Sequence, residues 1–145
     1  MTPIARLVGV EREAPIAAGN LVVSLTHSGD DNWRTPAWLL ELLFPDGRYF
    51  DPCPINPEGL RESDGRGAWP VDRPVFLNPP YSNPAPWLKM AASHPGPVVC
   101  LVRCDPSASW WSYSEGFKVT LIGQRLRFRS AQKAAPFASA IWRKE

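Results

Sequence analysis

Val75-Phe76-Leu77-Asn78-Pro79-Pro80-Tyr81 reads as a short buried strand that stops abruptly in a rigid polar turn. Three apolar residues in a row fit a buried strand. Two consecutive prolines end it, because each fixes φ and removes a backbone donor. The carbonyls that remain have little freedom to turn away. This set suits an aromatic amine, whose lone pair is delocalised into its ring and is a poor nucleophile. The side-chain oxygen of Asn78 and the carbonyl of Pro79 can each accept one amine hydrogen. Those bonds favour a pyramidal nitrogen and stabilise charge as it develops. Tyr81 offers a ring on which an extruded base can stack. Asn, Pro and Tyr are also ordinary turn residues, so the flanking sequence has to decide between a turn and a site.

Working outward, the spacing predicts a helix over residues 84–93, with Pro84 or Pro86 in its first turn. A near-continuous apolar strand is expected over 98–102, a helix over 106–115, and strands over 119–122, 125–128 and 138–142. Upstream, Thr35-Pro36 is a helix start, with threonine as N-cap and proline at the first helical position. Trp38, Leu39, Leu42 and Leu43 follow at core spacing, and the helix stops before Pro45. Residues 48–50 read as a short strand running into Asp51-Pro52, and 54–74 as loop. Residues 1–30 read as an arm with one short strand, and 31–145 as a single catalytic domain. Alternating strands and helices, then a terminal run of strands, predict an α/β fold with a mixed sheet flanked by helices.

Composition narrows the function. A chain of 145 residues supports one core, and 44% hydrophobic residues with seven tryptophans exclude a disordered chain. Seventeen prolines, more than twice ordinary usage, imply many short elements joined by fixed turns. Net charge is only +2, yet residues 115–145 hold seven basic side chains against two acids, which points to a polyanionic partner. Three cysteines without a CxxC pair, and two histidines, argue against a disulfide framework and against a metal centre. No apolar run reaches membrane-span length and no signal-peptide pattern opens the chain, so a reducing cytoplasm is expected.

In ordered blocks the sequence resembles the phage and prophage DNA N6-adenine methyltransferases of the Dam type. The resemblance covers about residues 31–143. It runs through Asp31-Asn32-Trp33-Arg34-Thr35-Pro36, Phe50-Asp51-Pro52-Cys53, Asp64-Gly65 with Trp69, and Asn78 to Tyr81 with Ser82 and Trp87. It continues in Asp105-Pro106-Ser107 with Trp110-Trp111, Gly123-Gln124-Arg125-Leu126-Arg127-Phe128, and Ala135-Pro136-Phe137-Ala138-Ser139. The resemblance implies a compact, abbreviated Rossmann-like fold, S-adenosylmethionine as cofactor, DNA as partner, and a bacterial cytoplasm as setting. It implies that Asn78, Pro79, Pro80 and Tyr81 are the catalytic motif. It implies cofactor contacts from Thr35 and Pro36, from Asp51, Pro52 and the adjacent Cys53, and from Asp64, fourteen residues before Asn78. Trp33 reads either as a cover on the cofactor or as a helix-entry staple. The segment after Asp51 departs from the usual Asp-Pro-x-x-Gly-x-Gly loop, having no glycine pair. Only 26 residues lie between Asp51 and Asn78, where a full fold places two further strands and a helix.

Arg125, Arg127 and Arg129 alternate with Leu126 and Phe128, which would put three guanidinium groups on one strand face. With Lys133 nearby, they read as a ladder for DNA phosphates or as a charged edge that discourages aggregation. Of Trp110 and Trp111, one reads as packing and the other as a wedge or interface residue. Cys53 lacks the base a nucleophile needs. Three further readings stay open at this point. One is a non-catalytic DNA-binding or decoy module on a degraded scaffold. The others are methylation of a different planar amine (RNA guanine or protein glutamine) and methylation of cytosine N4.

Overall fold

The computed structural model describes residues 33–54, 67–129 and 134–145. In chain order these form α1 (Ala37–Leu43), β1 (Val75–Leu77), α2 (Ala85–Ser93), β2 (Val98–Arg103), a 3-10 helix (Ser109–Ser114), β3 (Lys118–Leu121) and β4 (Ser139–Lys144). The four strands make one mixed sheet in the order β1-β2-β4-β3. β1 and β2 are parallel, with Phe76 opposite Val99, and β4 lies antiparallel to both β2 and β3. The expected arm over residues 1–30 lies outside the described residues.

Alternation along the strands builds two cores. Val75, Leu77, Val98, Cys100, Val102, Ala140 and Trp142 pack on one face, against Trp87, Leu88 and Ala91 of α2 and Trp110 of the 3-10 helix. Phe76, Val99, Leu101 and Ile141 pack on the other, against Leu39 and Leu43 of α1 and against Leu126, Phe128 and Phe137. Both faces are therefore covered, which is why β1 and β2 read as unbroken apolar runs. Trp142, Phe76, Phe128 and Phe137 are among the largest fully buried side chains, each contributing about 1.5–3 kcal/mol through burial.

Several local expectations change. The N-cap of α1 is Pro36, with no side-chain cap, so Thr35 does not cap the helix. Leu39 and Leu43, four apart, share the buried face, whereas Trp38 sits one position off it and is 37% exposed. The strand expected over 48–50 is reduced to one parallel bridge, Phe50 to Val75. It is held by Phe50 N donating to Pro74 O and Phe76 N to Phe50 O, both at 2.8 Å. The helix expected over 106–115 is the shorter 3-10 helix, entered from Ala108. Ser107 Oγ instead donates to Asp105 Oδ1 at 2.8 Å. Trp110 and Trp111 both pack on Trp142, at centroid distances of 6.1 and 5.2 Å, so neither stands out as a wedge. Residues 125–128 form no strand, yet Leu126 and Phe128 are buried, Arg127 and Arg129 exposed and Arg125 half-buried.

Candidate active site

The Phe50 bridge lays the 49–51 segment along the outer edge of β1, running the same way. Asp51 and Asn78 thus leave the carboxyl ends of two adjacent parallel segments, where open α/β sheets leave room for ligands. A cavity of about 230 Å³ opens there, and both side chains line it. Thr35 and Cys53, also expected to meet the cofactor, stand on its wall, and so does Arg129, which was expected at DNA.

Asn78 is 5% exposed. Its Nδ2 donates to the backbone oxygen of Trp33 and to Thr35 Oγ1, the latter at 3.1 Å. Two acceptors on one edge of the amide decide which end is nitrogen, and they leave Oδ1 as the acceptor edge. Thr35, 8% exposed, is thereby drawn away from helix capping to orient this amide. On the other side, the Cys53 thiol donates weakly to the Asn78 carbonyl oxygen at 3.5 Å. Cys53 N donates to Asp51 Oδ1 at 3.0 Å, an Asx-type turn that steadies the carboxylate at the mouth of the loop.

Tyr81 is placed differently from the base-stacking plate that the motif suggested. Its ring is 5% exposed and packs edge-on to Phe128 and Phe137, at 6.3 and 5.3 Å between centroids. Its hydroxyl donates to Leu101 O at 3.4 Å. An edge-on aromatic nest fits a phenol ring better than water does, so the ring anchors the turn to the core. Arg103 Nη1 donates to Tyr81 O at 3.1 Å, and the guanidinium also pairs with Asp105 at 3.5 Å and lies over Trp110. Trp33 likewise packs edge-on to Phe128 and Phe137, both at 5.4 Å and both outside α1. Trp33, Pro36, Pro52, Pro79, Pro80 and Tyr81 do not line the cavity. Asp64 and Lys133 lie outside the described residues.

Two polar residues of the cavity, Arg34 and Tyr49, were not singled out from sequence, and a third, Arg129, was expected at DNA and not here. Tyr49 carried a signal, since it stands two residues before Asp51 and so shares its face of an extended segment. Burial raises the Tyr49 phenol above its ordinary pKa; the Asp51 carboxylate acts the same way and the Arg129 guanidinium opposes it. Arg129 belongs to the expected ladder, but it turns to the cavity because its N–H donates to Arg34 O at 2.9 Å in an antiparallel bridge. That pairing spans most of the domain, so local pattern does not reveal it. Leu40 and Phe76 supply the apolar wall.

Among the described residues no group of three or more His, Cys, Asp or Glu side chains could hold a metal ion. No helix there is long and apolar enough to cross a membrane. A family model described as DNA N-6-adenine-methyltransferase (Dam) matches residues 62–140. No curated protein and no solved structure matches the chain.

Proposed function

The chain belongs to the Dam family of DNA N-6-adenine methyltransferases, and from that premise we propose that it moves a methyl group from S-adenosylmethionine to the N6 amine of an adenine turned out of the duplex. The observation that carries this reading is the cavity shared by Asp51 and Asn78 at the carboxyl ends of neighbouring parallel segments. The strand order, with one antiparallel strand inserted beyond two parallel ones, supports an abbreviated Rossmann-like sheet.

The cavity residues fit one end of the cofactor: a carboxylate in Asp51, an apolar wall in Leu40 and Phe76, and an oriented amide in Asn78. At about 230 Å³ the cavity is smaller than pockets that enclose whole ligands, which run from roughly 300 Å³ upward. It therefore houses part of the cofactor. When bound, S-adenosylmethionine supplies an electrophilic methyl group on a sulfonium. Asn78 Oδ1 accepts one hydrogen of the adenine amine, and the bonds from Nδ2 to Trp33 and Thr35 keep that oxygen from rotating away. Such an acceptor is set before the reaction and needs no reorganisation as charge develops. The motif offers the Pro79 carbonyl, which stands outside the cavity wall, as the acceptor for the second hydrogen. Arg125 and Arg127 serve the DNA backbone, one half-buried and one exposed on the segment before the cavity.

Plasmid DNA from cells expressing the protein, digested with methylation-sensitive nucleases and then analysed by nucleoside mass spectrometry, tests the reading. N6-methyladenine should rise with the wild type and stay at background with Asn78→Ala. Methylcytosine instead, or no methylated base with a folded protein that ignores S-adenosylmethionine in calorimetry, would overturn it.

A further inference from the structure

Two guanidinium groups, Arg34 and Arg129, and one carboxylate, Asp51, share the cavity wall. The ion pair found among the described residues is Arg103 with Asp105, so neither cavity arginine is committed to a carboxylate there. The two arginines face one site because their backbones are bridged. Asp51 and Arg129 both act on the Tyr49 phenol, which puts the opposite charges in one neighbourhood.

Among the described residues, the start of the loop after Asp51 leaves no backbone N–H open to a ligand. Pro52 and Pro54 lack N–H groups, and the Cys53 N–H is taken by Asp51 Oδ1 at 3.0 Å. An anion entering this cavity meets the Arg34 and Arg129 side chains on its wall. Two cations beside one anion complement a zwitterion better than a bare phosphate, which Asp51 would repel.

Resting on the proposed function, we propose that Arg34 and Arg129 hold the carboxylate of the amino-acid end of S-adenosylmethionine, with Asp51 facing its ammonium group. The two guanidinium forks give the carboxylate a charged, bidentate seat beside a loop whose sequence has no glycine pair. The placement also separates Arg129 from Arg125 and Arg127, which remain with DNA.

Calorimetry with two nucleosides tests it. S-Adenosylhomocysteine carries the amino-acid end, and 5′-deoxy-5′-methylthioadenosine lacks it. The wild type should bind the first more tightly, and Arg34→Gln and Arg129→Gln should each weaken it by about tenfold while leaving the second unchanged. Both substitutions keep the backbone bridge. Arg129, the more exposed of the two, decides if the Arg34 variant fails to fold by circular dichroism. Equal losses for both nucleosides, or none for either, would overturn the assignment while leaving methyl transfer standing. So would loss of DNA affinity with S-adenosylhomocysteine affinity intact, which would make the arginines phosphate ligands. A wild type that binds neither nucleoside would overturn the proposed function and this clamp together.

Discussion

Asn78 and Thr35, separated by 43 positions in the chain, are joined by a hydrogen bond of 3.1 Å from amide nitrogen to hydroxyl oxygen. Thr35→Val removes the acceptor while keeping the shape. Methyl transfer should fall by roughly five- to tenfold in kcat, about the worth of one hydrogen bond, with KM for S-adenosylmethionine nearly unchanged. Thr35→Ser should restore it. A Thr35→Val enzyme with unchanged kcat would mean that the amide is oriented by Trp33 alone.

Removal of the amide itself should be more severe. Asn78→Ala is expected to lower kcat by about a hundredfold or more, the scale seen when a fixed polar group at a developing charge is deleted. DNA binding in a gel-shift assay should be preserved, since Asn78 is 5% exposed at the cavity and not on the outer surface.

Arg127 is exposed, and Arg125 is half-buried beside it. Arg127→Ala should weaken DNA binding evenly across sequences and reduce the slope of log K against log salt by about 0.9 for each phosphate it no longer neutralises. An identical slope in wild type and variant would assign Arg127 to the charged-edge role instead.

The Phe137 ring, 2% exposed, meets Trp33, Tyr81 and Phe128 at steep interplanar angles. Phe137→Ala should cost about 3–5 kcal/mol in chemical denaturation. Tyr81→Phe, which deletes only the hydroxyl bond to Leu101, should cost about 1 kcal/mol and retain most activity. If Tyr81→Phe were inactive, the hydroxyl would have a part in the chemistry.

Alkaline pH should destabilise the fold. Burial raises the thiols of Cys100 and Cys104 and the phenol of Tyr49 above their ordinary values. Groups raised in the folded state release protons more readily once unfolded, so the stability they carry is intact below the ordinary thiol value of about 8.5. It is lost as pH climbs from there toward the folded-state values. Lys144, lowered by burial, pushes the other way, one group against three among the described residues. Melting temperature should therefore drop above about pH 8.5, and a Tm that rose through that range would contradict the ordering. Thiol reagents at pH 8 should reach half-buried Cys104 first and slowly, with Cys53 and Cys100 reacting only on unfolding.

Much of this architecture was legible in the sequence where a local pattern settled it. The apolar run 98–102 became β2, Val75–Leu77 became β1 as expected, and prolines at 84 and 86 marked the start of α2. The convergence of Thr35, Asp51, Cys53 and Asn78 on one cavity followed the ordered blocks. Where long-range contacts competed with local ones, sequence was a poor guide. Thr35 gives up a helix cap to reach Asn78, and Tyr81 enters an aromatic nest whose members come from three separate segments. Arg129 is drawn out of its ladder by a bridge to Arg34. In each case the deciding partner is far away along the chain and has no periodic signature.

β4 lies between β2 and β3 although it follows both in the chain. β3 has no strand neighbour except β4 among the described residues, so it cannot settle until β4 has been synthesised and has docked against β2. Until β4 docks, the side of β2 that it covers is an unpaired edge that invites pairing with other chains. The protein is thus expected to assemble late and all at once.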